Sequence, residues 1–477
     1  MRVGGVYGTI LNLEQLAARG TNISENSLQT TEEVIHAAFR NGSHSFVSEC
    51  TKAWSLSIDF KHDFYQAAWI WRSYHSFGLL SLPEYPEGYY SNADWRTNCE
   101  VIRADDVHGS MKYCEDATFW DHYGKTGRLE DRSIILSCDP GRKSWNTVMG
   151  PLLNPDPRGA LWLHLPGKGS KPQRMVLSHF PDGHDFHPLG LEVWPSVNGE
   201  SSNLFVVNHA RERTVIEQFV LNPAKPTEAV WIRTLSSKYF VSPNGLAMTS
   251  PTSFYVTNDH FMTRRLSNSL AQVESLLGLP LGWVAHVTVT DANNAQEDPI
   301  ATHFVASSGV SFANGVALSP DHKQLAVASS VLSEVYFYVR DPRTNRLAYS
   351  HKVPVPFACD NVMYDDQGDL LVAGHPHFPS LVAVAKNQTK VAPSWVVSIS
   401  PRKGNSTFNN GAFDTRAPLS ASTRANAVDS HEIETVFQSN GSFWSTSTTG
   451  LRDSRTGDLY VAGLYEEGLL KCAVHNS

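Results

Sequence analysis

Short apolar runs alternate with clusters of turn residues over most of the chain. Residues 203–208 read NLFVVN, 253–259 SFYVTND, 324–329 QLAVAS, 369–374 DLLVAG and 458–463 DLYVAG. β-Branched and aromatic residues dominate each run, and a turn cluster precedes each, which predicts strands. Their central valines, Val206, Val256, Val327, Val372 and Val461, are 50, 71, 45 and 89 residues apart. The last spacing is close to two repeats of 45, and the spacing of 71 leaves room for an insertion. A period of about 45–50 residues built from strands predicts the blades of a propeller.

A second phrase recurs ahead of three of these strands. It reads PNGLAM from Pro243, ANGVALSPD from Ala313 and DNVMYDD from Asp360. Asn244, Asn314 and Asn361 precede the following valine by 11 to 13 residues, the length of a strand, a tight turn and a strand. The competing reading is that Asn-Gly marks a hairpin turn. Here the turn signals, Ser319 to Asp321 and Asp365 to Gly368, come later. Each Asn is therefore expected on the first strand of a blade. First strands line the central channel, so equivalent positions converge on one axis.

Residues 1–94 lack this pattern and are expected to form a partly helical or disordered extension. Thr31 to Arg40 reads as a helix with acidic residues in its first turn and Asn41-Gly42 as its stop. Trp54 to Leu82 is apolar-rich, either helical or interfacial, which leaves peripheral membrane or lipid contact open; Pro83, Pro86 and Gly88 end it. The propeller is expected over 95–477, with a Ser-, Asn- and Thr-rich surface insertion at 400–430.

Of the 477 residues, 41% are hydrophobic and 18% charged, which excludes disorder of the whole chain. A net charge of −8 argues against a nucleic-acid partner, because phosphate neutralisation needs an excess of Lys and Arg. The longest apolar stretch, Ser275 to Thr290, is interrupted by Pro280 and is shorter than the roughly 20 residues that span a bilayer. Asn12, Glu14 and Gln15 make the first twenty residues a poor signal peptide. None of the six cysteines forms a CxxC pair, and five N-x-S/T sequons occur, at Asn22, Asn41, Asn387, Asn405 and Asn440.

The polar residues at channel positions are Asn244, Asn314, Asp360 and Asn361, and Glu115 and Asp116 open the first blade-like segment. All offer oxygen, the donor preferred by Ca²⁺. Glu115 and Asp360 supply two negative charges for a divalent ion, and the three amides fill its coordination. Histidines end three of the strands: His209, His260 and His375.

These residues sit in text that resembles the serum paraoxonase/arylesterase family. The matching segments are FHPLGLEV, LFVVNHARERTVIEQF, SPNGLAMTSPTSFYVTNDHF, LLGLPLGWVAHVTV, FANGVALSPDHKQLAVASS, CDNVMYDDQGDLLVAGHPH and LYVAGLYEEGLLKC. The resemblance implies an all-β, six-bladed antiparallel propeller and a catalytic calcium held by Glu115, Asn244, Asn314, Asp360 and Asn361. It implies a second, structural calcium at Asp116 and a carbonyl near Leu191, but Gly245 stands where that site's third protein ligand, an Asp, is expected. The family's histidine dyad falls on Leu189 and His209, so one histidine is replaced. His187 lies two residues before Leu189, about 7 Å away along an extended strand. The resemblance also implies a Cys99–Cys472 disulfide joining the first and last strands; that bridge and the five sequons point to a secreted or endomembrane glycoprotein, against the poor signal peptide. Cys114, Cys138 and Cys359 are expected to be free and buried.

The expected activity is calcium-dependent hydrolysis of a small-molecule ester or lactone, of the arylesterase and lactonase type. Asp360 is the first candidate base, and His260 and His209 are the second. Two alternatives stand beside it: a calcium-stabilised propeller that binds a ligand or partner without catalysis, and an enzyme like gluconolactonase or strictosidine synthase. Nothing in the sequence speaks to oligomeric state.

Overall fold

The computed structural model describes residues 84–473, apart from 92, 168, 170, 291–297 and 402–430. The expected helix at 31–40, the apolar segment 54–82 and nearly all of the 400–430 insertion lie outside the described residues.

Six sheets make six blades. Blade 1 is built on Cys114–Tyr123, Leu129–Cys138 and Ala160–His164, and blade 2 on Pro188–Val193, Ser202–Asn208, Val215–Leu221 and Glu228–Leu235. Blade 3 comprises Pro243–Ser250, Ser253–Asn258, Gly282–Val289 and Ile300–Val310. Blade 4 comprises Ala313–Leu318, Gln324–Ser329, Glu334–Arg340 and Leu347–Pro354. Blade 5 comprises Ala358–Tyr364, Leu370–His375, Ser394–Pro401 and His431–Ser439, and Tyr89–Tyr90 adds a fifth strand at its edge. Blade 6 comprises Ser447–Arg452, Leu459–Gly463 and Leu469–Cys472, and Cys99–Ile102 closes it from the other end of the chain. The first strands touch one another in cyclic order, including blade 6 against blade 1, so the ring is closed.

The five apolar runs are the second strands of blades 2 to 6. The spacing of 71 arises because the helix Asn268–Leu277 is inserted after the second strand of blade 3. The spacing of 89 is one blade, not two: the helix Phe378–Ala385 and residues 402–430 lengthen blade 5. The sixth blade is blade 1, whose second strand opens on charged residues and carries its apolar run only at Ile134–Leu136. One buried apolar cluster fills each of the six gaps between neighbouring blades. Between blades 1 and 2, for example, Trp120, Ile135 and Leu161 meet Leu204, Val206 and Phe219.

Cys99 and Cys472 pair across the closing strands and form the expected disulfide. Cys114 and Cys138 are also bonded to each other, which corrects the expectation that both are free. The cause is register: they stand directly opposite each other at the start of blade 1. Cys359 is free and buried.

Candidate functional site

Every first strand carries the same irregularity. At one level of each blade, two of its residues oppose a single residue of the second strand. The pairs are Glu115/Asp116, Leu189/Gly190, Asn244/Gly245, Asn314/Gly315, Asp360/Asn361 and Thr448/Thr449. A bulge bends its strand and re-aims side chains. Six bulges at one level therefore build a ring from residues far apart in the chain.

Glu115, Asn244, Asn314 and Asp360 line one narrow cleft of about 40 Å³ on the propeller axis, together with His375. Asn361 lies against them: its Nδ2 donates to Glu115 Oε1 and to the Glu115 carbonyl, each at 3.2 Å, and to Thr449 Oγ1 at 3.0 Å. Asn244 Nδ2 donates to Asp259 Oδ2 at 3.0 Å. Asn314 Nδ2 donates to Ser330 Oγ at 2.9 Å and to Asp360 Oδ1 at 2.7 Å. The nitrogens of these amides are thus held by protein acceptors. Glu115 Oε2, Asn244 Oδ1 and Asn314 Oδ1 are buried without a hydrogen-bond partner.

Burial, reinforced by Asp360 and Asp116, pushes the Glu115 carboxyl well above the usual carboxylate range. Buried oxygens without donors, in a site of negative charge, are the complement of a hard cation. The donor set fits Ca²⁺. Among the described residues no cluster of three or more His, Cys, Asp or Glu is arranged for a metal, as expected where amides supply most of the donors.

Asp116 does not share this character. Its Oδ1 accepts from the N–H of Ala117 at 2.8 Å and from Thr449 Oγ1 at 2.9 Å, and its Oδ2 from the N–H of Leu191 at 3.0 Å. Burial pushes its carboxyl up to about 6 against these bonds. Gly245 offers no side-chain oxygen beside it, and a β-carbon there would stand 3.1 Å from the Gly315 Cα, a contact the neighbouring backbone would have to ease by a few tenths of an ångström. The residues present do not fit a second ion.

The histidines divide into two kinds. His209 is buried; its Nε2 donates to the Pro243 carbonyl at 2.8 Å and its Nδ1 meets the Thr147 hydroxyl. Burial lowers its pKa to about 4. His260 Nδ1 donates to Asp259 Oδ1 at 2.8 Å, and Nε2 lies 2.7 Å from Ser275 Oγ. Both rings have both nitrogens engaged. His375 differs: Nε2 donates to Asp360 Oδ2 at 2.8 Å, while Nδ1 is buried without a partner. Sequence reasoning had only its strand-end position to go on and gave it no role. Its register opposite Ala358, two residues from Asp360, is what brings the two together. His187 shows the same pattern, with Nδ1 bound to Asp139 Oδ2 at 2.9 Å and Nε2 buried without a partner, but unlike His375 it does not line the axial cleft. Leu189 is buried among apolar residues of blades 2 and 3.

A closed six-bladed propeller with an oxygen-lined axial cleft defines the class. The chain belongs to the arylesterase family, whose model matches residues 150–408, more than half of its length. It is 28% identical over 233 residues to human serum paraoxonase/arylesterase 2, covering 48% of this chain and 61% of that protein. The dog protein of the same name is 26% identical over 247 residues, covering 51% and 62%. The matches thus span about three-fifths of these relatives' length. A gluconolactonase of Xanthomonas campestris aligns in structure with a TM-score of 0.38 and 12% identity, covering 82% of this chain and 99% of that one.

Proposed function

We propose that the protein is a calcium-dependent hydrolase of esters or lactones. The carrying observation is the set of partnerless buried oxygens on Glu115, Asn244 and Asn314 in one cleft with Asp360. Glu115, Asn244, Asn314, Asp360 and Asn361 would hold the ion. Calcium there supplies a Lewis acid for the ester carbonyl and charge to offset the oxyanion.

The proton is handled by Asp360 and His375. Asp360 holds the ring by Nε2–H, which leaves the lone pair of Nδ1 to take a proton from the attacking water. The ring later returns that proton to the leaving oxygen. This moves Asp360 from base to orienting group and leaves His209 and His260, whose nitrogens are occupied, outside the proton path. Phe312, Phe378, Leu381 and Leu464 make the rest of the cleft apolar, which suits a hydrophobic acyl or aryl group.

Two disulfides support an oxidising compartment, and the sequons at Asn387 and Asn440 are exposed, in keeping with a secreted or endomembrane glycoprotein. Leu189 in place of a dyad histidine favours a second reading, a calcium-stabilised propeller that binds a ligand without turnover. Hydrolysis of phenyl acetate and of several lactones, measured on protein stripped by chelator and then resupplied with calcium, separates the two.

A further inference from the structure

We propose that His209, His260 and Asp259 are positioning residues that fix the amide of Asn244 with its oxygen toward the cleft. The proposal rests on the reading of the axial ring as a cation site.

An asparagine amide has two orientations of nearly equal shape, and only one presents oxygen to an ion. Asp259 decides between them. Its Oδ2 accepts from Asn244 Nδ2 at 3.0 Å, and a flipped amide would set its oxygen against that carboxylate. Asp259 is held in turn by His260, which reaches Ser275 on the helix Asn268–Leu277 and packs edge-on against Phe312, with ring centroids 4.5 Å apart.

The backbone leading into Asn244 is clamped from both sides. From blade 3, Asn258 Oδ1 accepts from the N–H of Val241 and of Ser242, each at 3.1 Å. Ser242 Oγ donates to the His260 carbonyl at 2.6 Å and accepts from its N–H at 2.8 Å. From blade 2, His209 Nε2 donates to the Pro243 carbonyl, one residue before Asn244. Trp145 Nε1 holds the His209 carbonyl at 2.8 Å, and the Thr147 hydroxyl meets Nδ1. A general base needs a free lone pair within reach of the substrate. These two rings have none: His209 bonds Pro243 directly, and His260 reaches Asn244 through Asp259.

The test is calorimetric titration of Ca²⁺ into the stripped full chain, with near-ultraviolet circular dichroism to confirm folding and a pH–rate profile on phenyl acetate. Asp259→Ala and His209→Leu are expected to weaken calcium binding by about 10- to 100-fold, the usual cost of losing an outer-shell partner. His209→Gln can still donate to the Pro243 carbonyl, so it is expected to keep near wild-type affinity and an unchanged pH profile. Asp259→Asn, which keeps the volume, replaces the alanine variant if that one does not fold. Calcium affinity equal to wild type in both Asp259→Ala and His209→Leu overturns the inference. So does loss of the pH-dependent limb in His209→Gln with calcium binding intact. A wild type that binds no calcium overturns the cation-site reading itself, which is a different result.

Discussion

His375 Nε2 donates to Asp360 Oδ2 across 2.8 Å, and the other ring nitrogen is buried without a partner. On the proposed mechanism that nitrogen is the base. His375→Gln is therefore expected to lower kcat on phenyl acetate by about 10²- to 10⁴-fold, the usual worth of general base catalysis. Its calcium affinity should change little. Asp360→Asn removes a charge at the ion as well as the ring's acceptor, so kcat and calcium affinity should fall together. Full kcat in His375→Gln would show that another group takes the proton.

Calcium binding should release protons. Burial and two neighbouring carboxylates raise Glu115 in the ion-free protein, so its carboxyl holds a proton where an ordinary one does not. The ion must displace that proton, so apparent affinity should rise with pH and level off once Glu115 ionises by itself. The linkage to stability has the opposite sign. The ion-free fold keeps this contribution below the ordinary carboxylate range and loses it as pH climbs through the raised value; bound calcium removes the loss. Titrations in buffers of different ionisation enthalpy check the release, and equal heats in all of them would contradict it.

One ion, not two, should bind. All three bonds to the Asp116 carboxylate come from protein donors, and Gly245 supplies no second carboxylate beside it. Asp116→Ala would remove the side-chain acceptor of the Ala117 and Leu191 N–H groups, at about 1–3 kcal/mol for each one left unpaired, while the Thr449 hydroxyl keeps the Glu115 carbonyl at 3.1 Å. It should lower the melting temperature alike with and without calcium. A stoichiometry of two in the wild type would contradict this account.

The strand repeat and the channel-side asparagines were legible because each blade repeats one hairpin, and a period survives insertions. Blade 1 escaped because Glu130, Asp131 and Arg132 occupy the opening of its second strand; Arg132 is spent on Asp121, Asp366 and Asp453. The ring itself was legible as a set of residues but not as a geometry. The bulges that turn Asp360 and Asn361 inward depend on pairing with a second strand, which no local pattern encodes. The same holds for Cys114 and Cys138, whose bond follows from register alone. His375 looked like any strand-end histidine until its neighbour across the hairpin was known.

The two disulfides make a chemical prediction. Alkylation of the unfolded, unreduced protein should mark one cysteine among the described residues, Cys359. In the chain-entropy model, Cys472→Ser opens a loop spanning 373 residues and should cost about 5–6 kcal/mol. Cys138→Ser opens one spanning 24 residues and should cost about 3–4 kcal/mol. Because Cys114 precedes Glu115, the second variant should also weaken calcium binding. Three alkylated cysteines among these positions would refute the second bridge.

The most direct test of the account is calcium restored to chelator-stripped protein, with binding heat and lactone or phenyl acetate hydrolysis followed on the same samples. The account predicts that stripping abolishes hydrolysis while the propeller stays folded, and that activity returns along a single-site isotherm. Hydrolysis that survives stripping, or a wild type that takes up no calcium below the millimolar range, would contradict it.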